Sequence, residues 1–150
     1  MKIDVAQIKK LRQDSSASIA DCRKALEETK GDYDKAIEWL KKHGIEKAEK
    51  KQERQTGEGL IEAYVHQNGK VGSLVEILCE TDFVARTDDF KHLAHEIAMQ
   101  VVALNPKDEA QLLKQEYIRD SSVTIEQLIK QTIAKLGENI VVKQIIRFEI

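Results

Sequence analysis

The chain has 150 residues, 41% of them hydrophobic and 33% charged, which allows a buried core with much surface to cover and suits one main domain plus a small module. Lys and Arg total 24 against 26 Asp and Glu, with 14 basic and 11 acidic side chains up to Arg54 and 10 and 15 beyond it. No basic stripe argues for direct nucleic-acid binding, no apolar run approaches the roughly 20 residues of a membrane span, and the opening Met1-Lys2-Ile3-Asp4 is not a signal peptide. The expectation is a soluble cytoplasmic protein. Cys22 and Cys79 lie far apart with no paired spacing and read as two reduced thiols.

Asp4 can cap a first helix carrying Val5, Ile8 and Leu11 and running to about Gln13. Ser18 and Asp21 resemble a capping box ahead of a second helix with Ile19, Cys22, Ala25 and Leu26 on its apolar stripe, ended by Gly31. Asp32 caps a third helix bearing Tyr33, Ala36, Ile37 and Leu40, which Gly44 is expected to close. Residues 1–44 thus form a compact three-helix module. From Ile45 to Gln55 the chain is mostly Lys, Glu, Gln and Arg, and residues 45–56 read as a solvated helical linker; as a nucleic-acid tail they would turn Glu46, Glu49 and Glu53 toward phosphates.

Residues 57–150 read as an α+β core. Leu60 to Gln67 and Lys70 to Cys79 are β-branched, apolar segments around Asn68-Gly69, a strong hairpin signal. Counting outward from that turn, Ala63 faces Leu74 and Leu60 faces Ile77, with apolar residues on both faces of the sheet. The strand then runs into Glu80-Thr81-Asp82-Phe83-Val84-Ala85-Arg86. Thr81 can cap a helix beginning at this turn, and Asp82 sits where a helix N-terminus favours negative charge. Phe83 either folds back into the core, the commoner fate of a Phe, or projects as an anchor for a partner.

Phe90, Leu93, Ala94, Ile97, Ala98, Val101 and Leu104 trace one face of a long helix that Asn105-Pro106 ends. His92, His95 and Glu96 share that helix, but no further ligand has supporting spacing for a metal site, and a hydrated helix surface explains them. Asp108 to Asp120 reads as a polar helix with Leu112, Leu113, Tyr117 and Ile118 inward. Thr124 and Gln127 start another helix, bearing Leu128, Ile129 and Ile133, which Gly137 stops. A last strand alternates Ile140, Val142, Ile146, Phe148 and Ile150 on an inner row with Lys143, Arg147 and Glu149 outside. The economical fold is a sheet of about three antiparallel strands flanked by helices.

The run Thr81 to Arg86 resembles the signature of the elongation factor Ts family. Leu11-Arg12 with Asp21-Cys22-Arg23-Lys24-Ala25-Leu26, and Gly137-Glu138-Asn139-Ile140, are similar to that family's other motifs, in the same order and over nearly the whole chain. The resemblance implies an N-terminal module of ubiquitin-associated type and a guanine-nucleotide exchange factor for elongation factor Tu, acting by binding and without a cofactor of its own. It also implies the contacts: Thr81, Asp82, Phe83 and Val84 at the partner's magnesium and phosphate site, and Arg12, Ile19 and Ala20 from the N-terminal module. Here the chain carries Ser15-Ser16-Ala17-Ser18 and Ile19-Ala20 where the family usually has Thr-Gly-Ala-Gly and a bulky pair.

Enzyme chemistry has little support: there is no Gly-rich phosphate loop and no nucleophile motif, and Cys79 at a strand end is more often a small buried hydrophobe. A second class of function is an adaptor whose N-terminal bundle binds proteins while the core is structural. Because longer members of the family carry a second, related half in the core, a homodimer that supplies the missing half is a further expectation.

Overall fold

A computed structural model describes residues 3–150; Met1 and Lys2, and the reading of them as no part of a leader, lie outside the described residues. The N-terminal part packs α1 (Val5–Ser15), α2 (Ile19–Glu28) and α3 (Tyr33–Glu49) around Leu11, Cys22, Ala25, Leu26, Ala36 and Leu40. Each helix starts as the capping residues dictate: Asp4, Ser18 and Asp32 accept from the backbone amides of Ala6, Asp21 and Lys35. Asp21 does more than complete a cap. Burial works against its charge, but hydrogen bonds from Lys47 and Ser18, with His43 beside it, hold its carboxyl below the usual range and tie α2 to α3.

Gly44 does not close α3, as its sequence position suggests. The helix continues through it to Glu49, and a Cβ at Gly44 would stand 3.1 Å from the Cβ of Ala134. Gly44 is therefore the point of close approach between α3 and α7 (Ile125–Leu136), and that packing overrides the helix-breaking tendency of the residue.

The second core is built on a three-stranded antiparallel sheet in the order β1 (Glu58–Val65), β2 (Val71–Cys79), β5 (Val141–Glu149). Ala63 pairs with Leu74 and Leu60 with Ile77, the register that Asn68-Gly69 demands, although the ladder stops at Val65 and Gly72 and leaves a wider loop than a two-residue turn. Gly59 is required where it stands: at φ +151° any Cβ would lie 2.1 Å from the Ile77 carbonyl oxygen. Helix α5 (Asp88–Leu104) covers one face of the sheet with Phe90, Leu93, Ala94, Ile97, Ala98 and Val101, all buried. Leu104, expected on that face, is 48% exposed.

Two segments depart from the expected pattern. Asp108 to Asp120 is not one helix but a short α6 (Glu109–Lys114) followed by a hairpin of β3 (Glu116–Tyr117) and β4 (Asp120–Thr124), with Tyr117 and Leu112 buried and Ile118 exposed. The hairpin is held by α5. Glu96, expected on a hydrated surface, is 3% exposed and accepts from Tyr117 Oη at 2.6 Å and Arg119 Nε at 2.5 Å, while Gln100 bonds the backbone at Glu116 and Ile118. Burial alone would raise the Glu96 carboxyl; its two donors outweigh burial and hold it low, and burial with the same hydrogen bond pushes Tyr117 up to about 12.

The second departure is in β5. Glu76 pairs with Gln144 but Ile77 pairs with Val142, so Lys143 is an extra residue that reverses the phase of the strand. Val142 and Ile145 point inward, whereas Ile146, Phe148 and Ile150, expected on the inner row, are 40%, 72% and 98% exposed. With Ile61, Val65 and Leu74 they form an apolar face of the sheet that no described helix covers.

Candidate functional site

Strand β2 ends at Cys79, and a helix of only four residues, α4 (Asp82–Ala85), comes before α5. A helix this short cannot sustain itself, because its ordering entropy exceeds what one turn of hydrogen bonds returns. Its inward side is fixed by Ala85, which is buried, and by Val84, which packs against the larger core. Thr81 caps it weakly, accepting from Val84 N at 3.4 Å, and Thr87 donates to the Val84 carbonyl at 2.7 Å while capping α5. The connection is thus pinned at both ends.

Phe83 projects from this turn with 88% of its surface exposed. That excludes the core alternative for this ring in the free chain. Asp82 is also on the surface, with its Oδ2 2.5 Å from Arg86 Nη2 across one turn. Thr81, Asp82, Phe83 and Val84 therefore come together as one protruding turn, three of them exposed and Val84 half-buried.

Thr81 is braced from a distant part of the chain. Its backbone N donates to Glu138 Oε1 at 2.9 Å and its hydroxyl to Glu138 Oε2 at 2.7 Å. Asn139, almost fully buried, donates its backbone N–H to Glu80 Oε1 at 2.8 Å and its side-chain amide to the Arg54 carbonyl at 2.9 Å. Residues 137–139 thus join the end of the linker to the turn. Gly137-Glu138-Asn139 is recognisable in the sequence as a motif, but its contact with Thr81 is not, since the partners are 57 residues apart.

Cys79 is fully buried and its thiol donates to the Thr81 carbonyl at 3.1 Å. Burial, with the Glu138 charge behind it, pushes this thiol up to about 11, so it stays protonated at neutral pH and is a poor nucleophile. Among the described residues no group of three or more His, Cys, Asp and Glu is placed to hold a metal ion. His95 instead faces Glu62 at 3.6 Å, and Glu96 is committed to Tyr117 and Arg119.

Arg12, Ile19 and Ala20 are all exposed, Ile19 at 56%, at the end of α1 and the start of α2, joined by the tight connection in which Ser16 N donates to the Arg12 carbonyl. Arg12 also lines a cleft of about 550 Å³ between this bundle and α7, with Lys41, Lys47 and Lys135 among its other walls. No described helix is long and apolar enough to cross a membrane.

Fold and site together define a class: an α+β protein with two packed cores that presents an aromatic ring on a braced turn, with an inert thiol beneath it. A family model described as Elongation factor TS matches residues 80–150. Curated relatives named Elongation factor Ts extend the match to the whole chain. The one from Rippkaea orientalis is 43% identical, covering 98% of this chain and 78% of its own length. Those from Methylacidiphilum infernorum and Fervidobacterium nodosum are each 40% identical, covering 99% and 100% of this chain and 95% and 99% of their own. The chain belongs to the elongation factor Ts family, and is by that membership a translation elongation factor. The alignment with the Rippkaea protein runs over 193 positions against 150 residues here, so that relative has internal residues with no counterpart in this chain.

Proposed function

We propose that the chain binds elongation factor Tu and speeds release of GDP so that GTP can enter, acting by binding energy and not by covalent chemistry. The observation that carries this reading is Phe83: a ring left 88% in water by a chain that buries Phe90 completely. Keeping a Phe exposed forgoes about 2 kcal/mol of burial, which a partner's apolar pocket recovers. Asp82 beside it brings negative charge toward the partner's magnesium and phosphate site, while Thr81 and Val84 fix the turn. Arg12, Ile19 and Ala20 supply the second contact from the N-terminal module, whose last helix, α3, runs past residue 44 into the linker over 45–56 ahead of the core over 57–150.

The chain needs no cofactor for this work, because nucleotide and metal belong to the partner, and such a factor works in the cytoplasm with the translation machinery. Linkage requires that GDP weaken the affinity of the chain for elongation factor Tu by the same factor as the chain weakens GDP. The test is release of labelled GDP from elongation factor Tu at sub-stoichiometric chain. Acceleration with turnover is expected; binding without a change in release rate would mark an adaptor instead.

The same reading includes self-association. The apolar sheet face of Ile61, Val65, Leu74, Ile146 and Phe148 is larger than isolated exposed side chains explain, and a second copy can bury it face to face. Light scattering at micromolar concentration should give twice the mass of the chain, falling to a single mass for Phe148→Lys. A monomeric mass for the unaltered chain would contradict the dimer, with the partner then left to cover that face.

A further inference from the structure

We propose that Glu138 is the positioning residue of the partner-facing turn: its two carboxylate oxygens hold Thr81, and through Thr81 the exposed Phe83, in the orientation that engages the GTPase. This rests on the exchange function proposed above and adds a residue to it.

The four helical residues of α4 cannot hold their own geometry, and the cap from Thr81 to Val84 N is long at 3.4 Å. The backbone amide of Thr81 lies ahead of that turn and has no helical partner. Glu138 answers both deficits with one group. Oε1 accepts the Thr81 amide at 2.9 Å and Oε2 accepts its hydroxyl at 2.7 Å. Since the hydroxyl proton is committed to Glu138, the oxygen lone pairs turn toward Val84 N, so the brace and the cap belong to one hydrogen-bonded chain.

Glu138 is itself held through its two neighbours in the chain. Gly137, at φ +80°, ends α7 and turns the backbone, and its carbonyl accepts from Lys51 Nζ at 3.1 Å. Asn139 is pinned through Glu80 and the Arg54 and Gln52 carbonyls, and Arg54 Nη1 stands 3.6 Å from Glu80 Oε1. The bonds to Thr81 are on the surface, where they contribute little to folding. Their effect is on the turn: they remove beforehand the ordering cost that Phe83 would otherwise meet on binding.

The experiment is a double-mutant cycle on the full chain, read as release of fluorescently labelled GDP from elongation factor Tu, with thermal melting of each variant alongside. Glu138→Ala is expected to lower exchange roughly tenfold at sub-saturating chain while melting only a few degrees lower. Added to Phe83→Ala, it should worsen exchange by less than about twofold, because a ring that is absent cannot be mispositioned. A merely structural Glu138 would lower both backgrounds equally. Full additivity with Phe83→Ala, or exchange by Glu138→Ala within about twofold of the unaltered chain, would overturn the proposal. If Glu138→Ala melts much earlier, Glu138→Gln, which keeps the volume and one acceptor, carries the same cycle. Failure of the exchange reading is visible separately, as an unaltered chain that does not accelerate release at all.

Discussion

Phe90→Ala should destabilise the free chain by about 3–5 kcal/mol, the largest stability loss expected from any single aromatic truncation here. Phe90 is completely buried at the start of α5, where its backbone amide is also the one that Thr87 caps, and it belongs to the larger core, which also holds Leu93 and Ala94 and the sheet residues Val75 and Ile77. Truncation leaves a cavity under the α4–α5 connection that these neighbours fill only in part. For a chain of this size the melting temperature should fall by roughly 10 °C, read by calorimetry or circular dichroism. A fall of under about 2 °C would show that the ring is not the packing element that its burial implies.

The contrast with Phe83, seven positions earlier, shows how much of this protein its sequence discloses. Phe90 sits in a helix of several turns, so the period of its apolar neighbours assigns it to the core without a structure. Phe83 sits in a four-residue helix, too short for any period to be established, and only its resemblance to a family motif points outward. The caps at Asp4, Ser18, Asp32 and Thr124 and the hairpin register at Asn68-Gly69 are legible because each is decided by residues within a few positions of one another.

The features that sequence alone misreads depend on distant partners. Gly44 reads as a stop until α7 packs against it, and Glu96 reads as solvated until Tyr117 and Arg119 arrive from a hairpin that resembles helix in sequence. In β5 a single extra residue, Lys143, moves Ile146, Phe148 and Ile150 from the expected inner row to the open face. Alternation by twos cannot reveal a bulge from within the strand, since the pattern on either side of it is intact. The brace from Glu138 to Thr81 belongs with these: its two ends are legible as motifs, their contact is not.

Phe83→Ala should cost the chain most of its exchange activity and leave its fold intact. If the ring fills an apolar pocket on elongation factor Tu, its loss removes about 2 kcal/mol or more of binding at the site that disturbs nucleotide, and exchange efficiency should fall roughly 30-fold. The free chain should meanwhile melt within about 2 °C of the unaltered protein, since a side chain 88% exposed leaves no cavity behind. The measurement is the rate of labelled GDP release from elongation factor Tu with Phe83→Ala beside the unaltered chain. A large loss of rate at unchanged melting temperature is the predicted result, and a variant that exchanges as fast as the unaltered chain would contradict the account.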